Sequence, residues 1–133
     1  TPFFELNGTK IFKKKTCLKN RFTFLEFTRN SSINTTSMII ERSILKHHRF
    51  KKIKILEDYL FKCEILRENN IAVKFGESLA YYRILKKSRS SQRLQNIFWL
   101  WYINKNFNNL NFIQNVISIF FISINSIRKY GIK

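Results

Sequence analysis

Carboxylates, glycines and prolines are scarce in this 133-residue chain. It has 8 Asp and Glu residues against 25 Lys and Arg, so its formal net charge is +17 at pH 7. The three glycines, Gly8, Gly76 and Gly131, are isolated, which excludes the glycine-rich loops that cradle phosphates in many nucleotide-binding enzymes. Proline occurs once, and no Gly/Pro-rich linker divides the chain. The length therefore suits one domain, or one small core with extensions.

Catalytic and metal-binding signatures are missing as well. The two cysteines, Cys17 and Cys63, are far apart and indicate neither a disulfide scaffold nor a zinc site, so a reducing compartment is the default. His47 and His48 are adjacent, and on a helix their side chains would diverge by about 100°, too far to share a metal ion. We therefore expect no enzyme activity, no cofactor and no bound metal.

Positive charge is abundant and unevenly distributed. No acid follows Glu77, whereas nine Lys and Arg residues lie between positions 78 and 133. These positive charges would repel one another in an isolated compact protein, and a polyanionic partner would compensate for them. The chain is nevertheless 44% hydrophobic and 16% aromatic, which is too apolar for a disordered basic tail.

Aromatic or planar side chains are interleaved with the charges in three basic segments, residues 10–29, 46–54 and 83–93. Lys and Arg neutralise phosphates, and guanidinium planes and exposed rings stack on unpaired bases, which favours folded RNA over duplex DNA. The phenylalanines of the first segment fit a protein core equally well. The predicted RNA-binding residues are Lys10, Lys13, Lys14, Lys15, Lys19, Arg21, Arg29, Lys46, His47, His48, Arg49, Lys51, Lys52, Lys54, Arg83, Lys86, Lys87, Arg89, Arg93, Arg128 and Lys129.

Hydrophobic periodicity predicts a mainly α fold, with a small helical core, a basic, extended N-terminal arm and room for one short strand or hairpin. We assign the arm to residues 1–36 and a helical RNA-binding and assembly domain to residues 37–133. Within that domain the pattern predicts a helix over 38–69, with a break near His48, and another from Ser78 to about Lys87.

Two further helices are predicted after the basic loop 86–93. In the first, Leu94, Ile97, Phe98 and Trp101 share a face, and residues 97–103 are apolar on all sides, which indicates burial against a partner. The second covers residues 110–129. Its apolar stripe contains Leu110, Ile113, Ile117, Phe120, Ile124 and Ile127, and its polar stripe contains Gln114, Ser118 and Asn125.

Residues 106–127 contain no charge, and this length could cross a bilayer. Only 12 of these 22 residues are apolar, however, and an unpaired amide in hydrocarbon costs on the order of 1 kcal/mol or more. The segment therefore favours a buried amphipathic helix, with membrane association as the alternative.

The composition has a second bias, toward residues with AT-rich codons. Phe, Tyr, Met, Ile, Asn and Lys supply 69 of the 133 residues, whereas Gly, Ala, Arg and Pro supply 15. With this bias, its small size, a pI near 10.3 and basic runs at 13–15 and 128–130, the chain resembles organelle ribosomal proteins of divergent, AT-rich lineages.

The resemblance implies a structural constituent of the mitochondrial ribosome, located in the matrix. Its expected partners are ribosomal RNA and neighbouring ribosomal proteins, the latter through residues 97–103 and the helix 110–129. The alternative is a small basic subunit of a respiratory or ATP-synthase complex in the mitochondrial inner membrane, with 106–127 as a membrane-associated helix. Charge alone would also fit a free DNA-binding protein.

Overall fold

The computed structural model describes residues 3–7, 10–14, 20–75, 80–83 and 93–130, and it describes side chains within 20–75 and 94–128. Its four α-helices contain 7, 11, 14 and 19 residues. No strand among the described residues is longer than five. The predicted class, mainly α with a short hairpin, is therefore confirmed.

Among the described residues, five short strands form two small sheets. They are β1 (Phe3–Asn7), β2 (Lys10–Lys14), β3 (Arg21–Phe22), β4 (Ala72–Val73) and β5 (Ala80–Arg83). Strand β1 pairs with β2 in an antiparallel hairpin and with β5 in parallel, while β3 and β4 form an antiparallel pair. The helix predicted over 78–87 is wrong at residues 80–83, where Ala-Tyr-Tyr-Arg is a strand and where the two aromatic residues favour one.

The folded core begins earlier than the predicted boundary at residue 37. Helix α1 (Phe24–Asn30) starts with a capping box, in which the Glu26 carboxylate accepts a hydrogen bond from the Thr23 amide at 3.0 Å and the Thr23 hydroxyl accepts one from the Glu26 amide. Phe27 and Thr28 on this helix are buried. Residues 21–30 therefore belong to the core, which corrects the prediction of an extended arm up to residue 36.

Helix α2 (Glu57–Arg67) is much shorter than the helix predicted over 38–69. The prediction is wrong for residues 38–56, which are irregular apart from a 3₁₀ turn at Ile44–Lys46. The charge pattern explains the boundary, because Glu57 and Asp58 suit the positive end of a helix dipole and the cations before them do not. Leu56 leads into the helix with a φ of 64°.

The apolar core lies where β3, α1, α2 and the next helix meet. Its buried members are Phe22, Phe27, Tyr59, Leu60, Cys63, Leu66, Leu100 and Ile103. The rings of Phe27 and Tyr59 stack with their centroids 5.5 Å apart. Cys63 is fully buried and acts as a small core residue, and burial raises the pKa of its thiol to about 12. Cys17 lies outside the described residues.

A helical hairpin completes the fold. Helix α3 (Arg93–Asn106) and helix α4 (Phe112–Tyr130) are joined by residues 107–111. Asn111 caps α4, because its side-chain oxygen accepts a hydrogen bond from the Gln114 amide at 2.8 Å. The connection is short, and the rings of Trp101 and Phe112 are in contact, with their centroids 5.6 Å apart.

The contact between these helices includes buried polar side chains beside the apolar ones, which differs from the predicted faces. Asn104 and Ser118 are fully buried, and the Asn104 amide donates to the Ser118 hydroxyl at 2.9 Å. Several residues of the predicted apolar stripes point outward, since Leu94, Ile113 and Phe120 are exposed. Leu110 is buried, and Trp101, Ile117 and Ile124 are half-buried. The hairpin therefore presents apolar side chains to its surroundings.

Candidate nucleic-acid interface

The irregular chain before α2 concentrates cations on the surface. We call residues 42–54 the basic segment, and it contains no Asp or Glu. Apart from His48, its charged or titratable side chains are all exposed, namely Arg42, Lys46, His47, Arg49, Lys51, Lys52 and Lys54. Because this backbone is irregular apart from the 3₁₀ turn Ile44–Lys46, the cations do not follow the single face of a regular helix or strand.

Contacts with α2 hold the basic segment in place. The Phe50 ring stacks on the buried Phe61 ring with a centroid distance of 4.3 Å and an interplanar angle of 15°. Lys51 Nζ lies 2.5 Å from a carboxylate oxygen of Glu64. The Arg49 guanidinium donates a hydrogen bond to the His48 carbonyl at 2.8 Å. The segment therefore has a defined position despite its irregular backbone.

The few carboxylates near this surface have internal partners. Asp58 forms an ion pair with the buried Lys62 at 2.9 Å. Burial alone would raise the pKa of Asp58, but the charge of Lys62 and hydrogen bonds from Lys62 and Thr35 outweigh burial and lower it. Glu26 serves as the cap of α1, and Glu64 pairs with Lys51. These carboxylates thus leave most of the surface cations without compensation.

Eleven Lys and Arg residues lie within 20–75, and only Lys51 and Lys62 form ion pairs with carboxylates in the part of the chain that the structure describes. The other nine are Arg21, Arg29, Arg42, Lys46, Arg49, Lys52, Lys54, Arg67 and Lys74. An excess of unpaired surface cations suits a polyanionic partner.

His48 is an exception among the predicted RNA-binding residues. Its side chain is 8% exposed, and its Nε2 lies 3.0 Å from a carboxylate oxygen of Glu68. It therefore connects the basic segment to the end of α2, which corrects the prediction that it contacts phosphates. His47, its neighbour, is exposed as that role requires.

The remaining predicted residues are dispersed. Arg21, Arg29 and Arg128 are exposed on β3, α1 and α4 respectively. Lys10, Lys13 and Lys14 lie in β2, Arg83 ends β5, Arg93 begins α3 and Lys129 lies in α4, and their side chains are outside the described part. Lys15, Lys19, Lys86, Lys87 and Arg89 fall outside the described residues altogether. The structure therefore brings together one predicted group, the basic segment.

Sequence reasoning missed three residues at this surface. Arg42 extends the basic segment, and Phe50 and Arg67 line a cleft beside it. Phe50 stands between Arg49 and Lys51, so the alternation of ring and charge was visible in the sequence. Arg67 was not predictable in this way, because it is the last residue of α2 and reaches the cleft only through the fold.

A second surface has the opposite character. We call the exposed apolar side chains of the hairpin the α3–α4 apolar face, which comprises Leu94, Ile97, Phe98, Tyr102, Phe112, Ile113, Val116, Phe120, Phe121 and Ile127. Leu94, Ile97 and Phe98 lie on one side of α3, and Ile113, Val116 and Phe120 lie on one side of α4, since residues three or four apart share a helix face. An apolar patch of this extent is typical of an interaction site.

Within the described residues, no helix is both long enough and apolar enough to span a membrane, and no cluster of three or more metal-ligating side chains occurs. No family model, curated protein sequence or solved structure matches this chain. Its function must therefore be argued from its own residues.

Proposed function

We propose that this protein is a structural RNA-binding constituent of the mitochondrial ribosome. The observation that carries the proposal is the excess of cations on the basic segment. Among the described residues, Lys51 is the only exposed cation of this segment that pairs with a carboxylate. Phosphates would supply the missing negative charge and would release counterions on binding. This role requires no catalytic group and no cofactor.

The shape of the basic segment favours RNA over duplex DNA. A DNA-reading element is commonly a regular helix or ribbon that fits the major groove, whereas residues 42–54 are mainly irregular. Irregular backbone with exposed guanidinium groups and the partly exposed ring of Phe50 suits single-stranded loops and helix junctions. Ribosomal RNA is rich in such elements.

The α3–α4 apolar face supports the second half of the proposal, which is a place inside a large assembly. Exposed side chains such as Leu94, Phe98 and Phe120 would be covered by neighbouring ribosomal proteins. This is the partner surface predicted from residues 97–103 and the last helix. A protein with one cationic and one apolar surface suits the boundary between RNA and protein.

Equilibrium binding to single-stranded RNA at several salt concentrations tests the RNA-binding part. The logarithm of the binding constant should fall linearly with the logarithm of the salt concentration. If four to six phosphates are neutralised, the slope should be roughly −3 to −4. Binding that is absent at 50 mM salt, or that is insensitive to salt, would contradict the proposal.

The second candidate is a small basic subunit of an inner-membrane respiratory or ATP-synthase complex. The observation in its favour is the α3–α4 apolar face, which could lie against lipid. Flotation with phospholipid vesicles at 0.5 M salt distinguishes the candidates, because the salt removes the attraction of a +17 protein to lipid headgroups. A ribosomal protein should stay at the bottom of the gradient, whereas a membrane subunit should float.

A further inference from the structure

An open cleft of about 600 Å³ lies between the basic segment and α2. Its volume falls in the range of small-molecule and nucleotide sites. It is lined by His47, His48, Arg49, Phe50, Lys51, Glu64, Arg67 and Glu68. The cleft therefore combines one aromatic ring with both cations and carboxylates.

Phe50 offers a flat surface in this cleft. The ring packs nearly parallel on Phe61, which is buried, yet the Phe50 side chain remains 53% exposed. One face of the ring is thus supported by the core while much of the side chain is open to solvent. A supported and exposed ring is the arrangement on which an unpaired base stacks, since every base has a π face.

The charged side chains around the ring suit different parts of a nucleotide. Arg49 and Arg67 can contact the sugar–phosphate backbone. Glu64 and Glu68 already pair with Lys51 and His48, but a carboxylate can accept further hydrogen bonds. Carboxylates accept hydrogen bonds from amino groups on base edges, as acidic side chains do with the amino group of cytosine. A cleft with two carboxylates and a ring therefore offers a base both a stacking surface and hydrogen-bond acceptors.

We propose that the Phe50 cleft binds one unpaired RNA base, stacked on Phe50, with an exocyclic amino group toward Glu64 and Glu68. The inference rests on the proposed RNA-binding function and adds a specific site to it. The surrounding cations bind the backbone on either side of that base. A base with an amino group, such as cytosine, is preferred over uracil.

The test compares the full-length protein with its Phe50→Leu variant, using cytidine and uridine decamers and an abasic decamer with the same number of phosphates. Leucine retains an apolar contact with Phe61 but removes the aromatic plane. Affinity for the cytidine decamer should fall about 5- to 100-fold, the loss expected for one stacked base. The salt slope should not change, because no phosphate contact is lost.

Three further comparisons give the test a matched control and a rescue. Phe75→Leu makes the same substitution at an exposed ring that does not line the cleft, and it should bind like the unaltered protein. Phe50→Trp should retain or increase affinity, since tryptophan also stacks. The unaltered protein should bind the cytidine decamer more tightly than the uridine decamer, and both more tightly than the abasic one.

The outcomes separate this inference from the proposed function. If the unaltered protein binds none of the decamers, the RNA-binding function itself is wrong. If it binds them but Phe50→Leu binds equally well, or loses no more than Phe75→Leu, the cleft does not bind a base. If Phe50→Leu does not fold, equal affinities of the unaltered protein for cytidine and abasic decamers would overturn the inference without any variant.

Discussion

At the scale of single residues, the core depends on one buried amide. The side-chain oxygen of Asn104 accepts hydrogen bonds from the Tyr59 hydroxyl at 2.9 Å and from Asn108 at 3.0 Å. Its nitrogen donates to Asn115 at 3.2 Å and to Ser118 at 2.9 Å. These four bonds are all that an amide can make, so the buried side chain is fully satisfied.

This network also connects the four helices. The Ser118 hydroxyl on α4 donates to the Thr28 carbonyl on α1 at 2.5 Å, while Tyr59 lies on α2 and Asn104 on α3. Burial raises the pKa of Tyr59 well above its ordinary value, so its hydroxyl remains a donor at all physiological pH values. The hydrogen bond from Tyr59 to Asn104 therefore keeps its donor within that range.

Replacing Asn104 with alanine should lower the free energy of unfolding by about 3 kcal/mol, because buried donors and acceptors would lose their partners. Urea unfolding followed by circular dichroism measures this loss. The control is Asn106→Ala, two residues further along α3, where the side chain is exposed and the expected change is within about 0.5 kcal/mol. Equal effects of the two substitutions would show that the network does not stabilise the fold.

The ion pair between Asp58 and Lys62 makes a pH-dependent contribution. Its carboxyl has a folded-state pKa below the ordinary value of 3.8, so the stabilisation is present above that pH and is lost as the pH falls through the folded pKa. The Asp58 side chain is 45% exposed, so we expect Asp58→Asn to cost only about 1–2 kcal/mol at pH 7.

Urea unfolding at pH 7, 5 and 3 tests this expectation. The difference between the unaltered protein and Asp58→Asn should be similar at pH 7 and 5, and should shrink at pH 3. Glu57→Gln removes a charge from the same helical turn without breaking the bond to Lys62, so its loss should be smaller. If the difference in unfolding free energy between the unaltered protein and Asp58→Asn stayed constant down to pH 3, the stabilisation would not come from the ionised Asp58 carboxylate.

At the scale of secondary-structure elements, sequence reasoning located the last helix well. The stretch 110–129 was predicted and α4 covers Phe112–Tyr130, because a long uncharged segment between Asn-rich and basic residues has clear ends. Which face is buried could not be predicted. Periodicity assumes that apolar residues point inward, whereas Asn104, Asn115 and Ser118 satisfy one another and therefore occupy the interior.

The sequence predicts which residues form the candidate interface but not their backbone conformation. It identifies the cations of residues 46–54 but assigns them to a helix, because Ile53, Leu56 and Leu60 recur at helical spacing. The structure packs Ile53 and Leu56 on the core from an irregular backbone. Tertiary contacts such as Phe50 on Phe61 override local propensity here, and no local pattern encodes them.

Removing two cations from the basic segment should change how RNA binding depends on salt. The double variant Lys52→Gln and Lys54→Gln should reduce the magnitude of the salt slope by about 1.4, or 0.7 for each phosphate contact on a single strand. Its control, Lys74→Gln with Lys105→Gln, removes the same net charge from positions outside the segment and should change the slope by less than about 0.5. Equal changes would mean that only net charge matters.

At the scale of the whole molecule, the two surfaces explain each other. A formal charge of +17 makes copies of the protein repel one another. The α3–α4 apolar face, in contrast, is unfavourable in a monomer that is surrounded by water. A ribonucleoprotein particle resolves both, since RNA compensates the charge and protein neighbours cover the apolar side chains. Neither surface alone would favour a ribosome over a free nucleic-acid-binding protein or a membrane subunit.

Sedimentation of an organelle lysate through a sucrose gradient tests the central claim most directly. The protein should migrate with a ribosomal subunit, remain there in the presence of detergent, and shift to the top of the gradient after RNase treatment. Recovery in a membrane pellet that detergent releases and RNase does not would contradict the account, and would favour the inner-membrane complex instead.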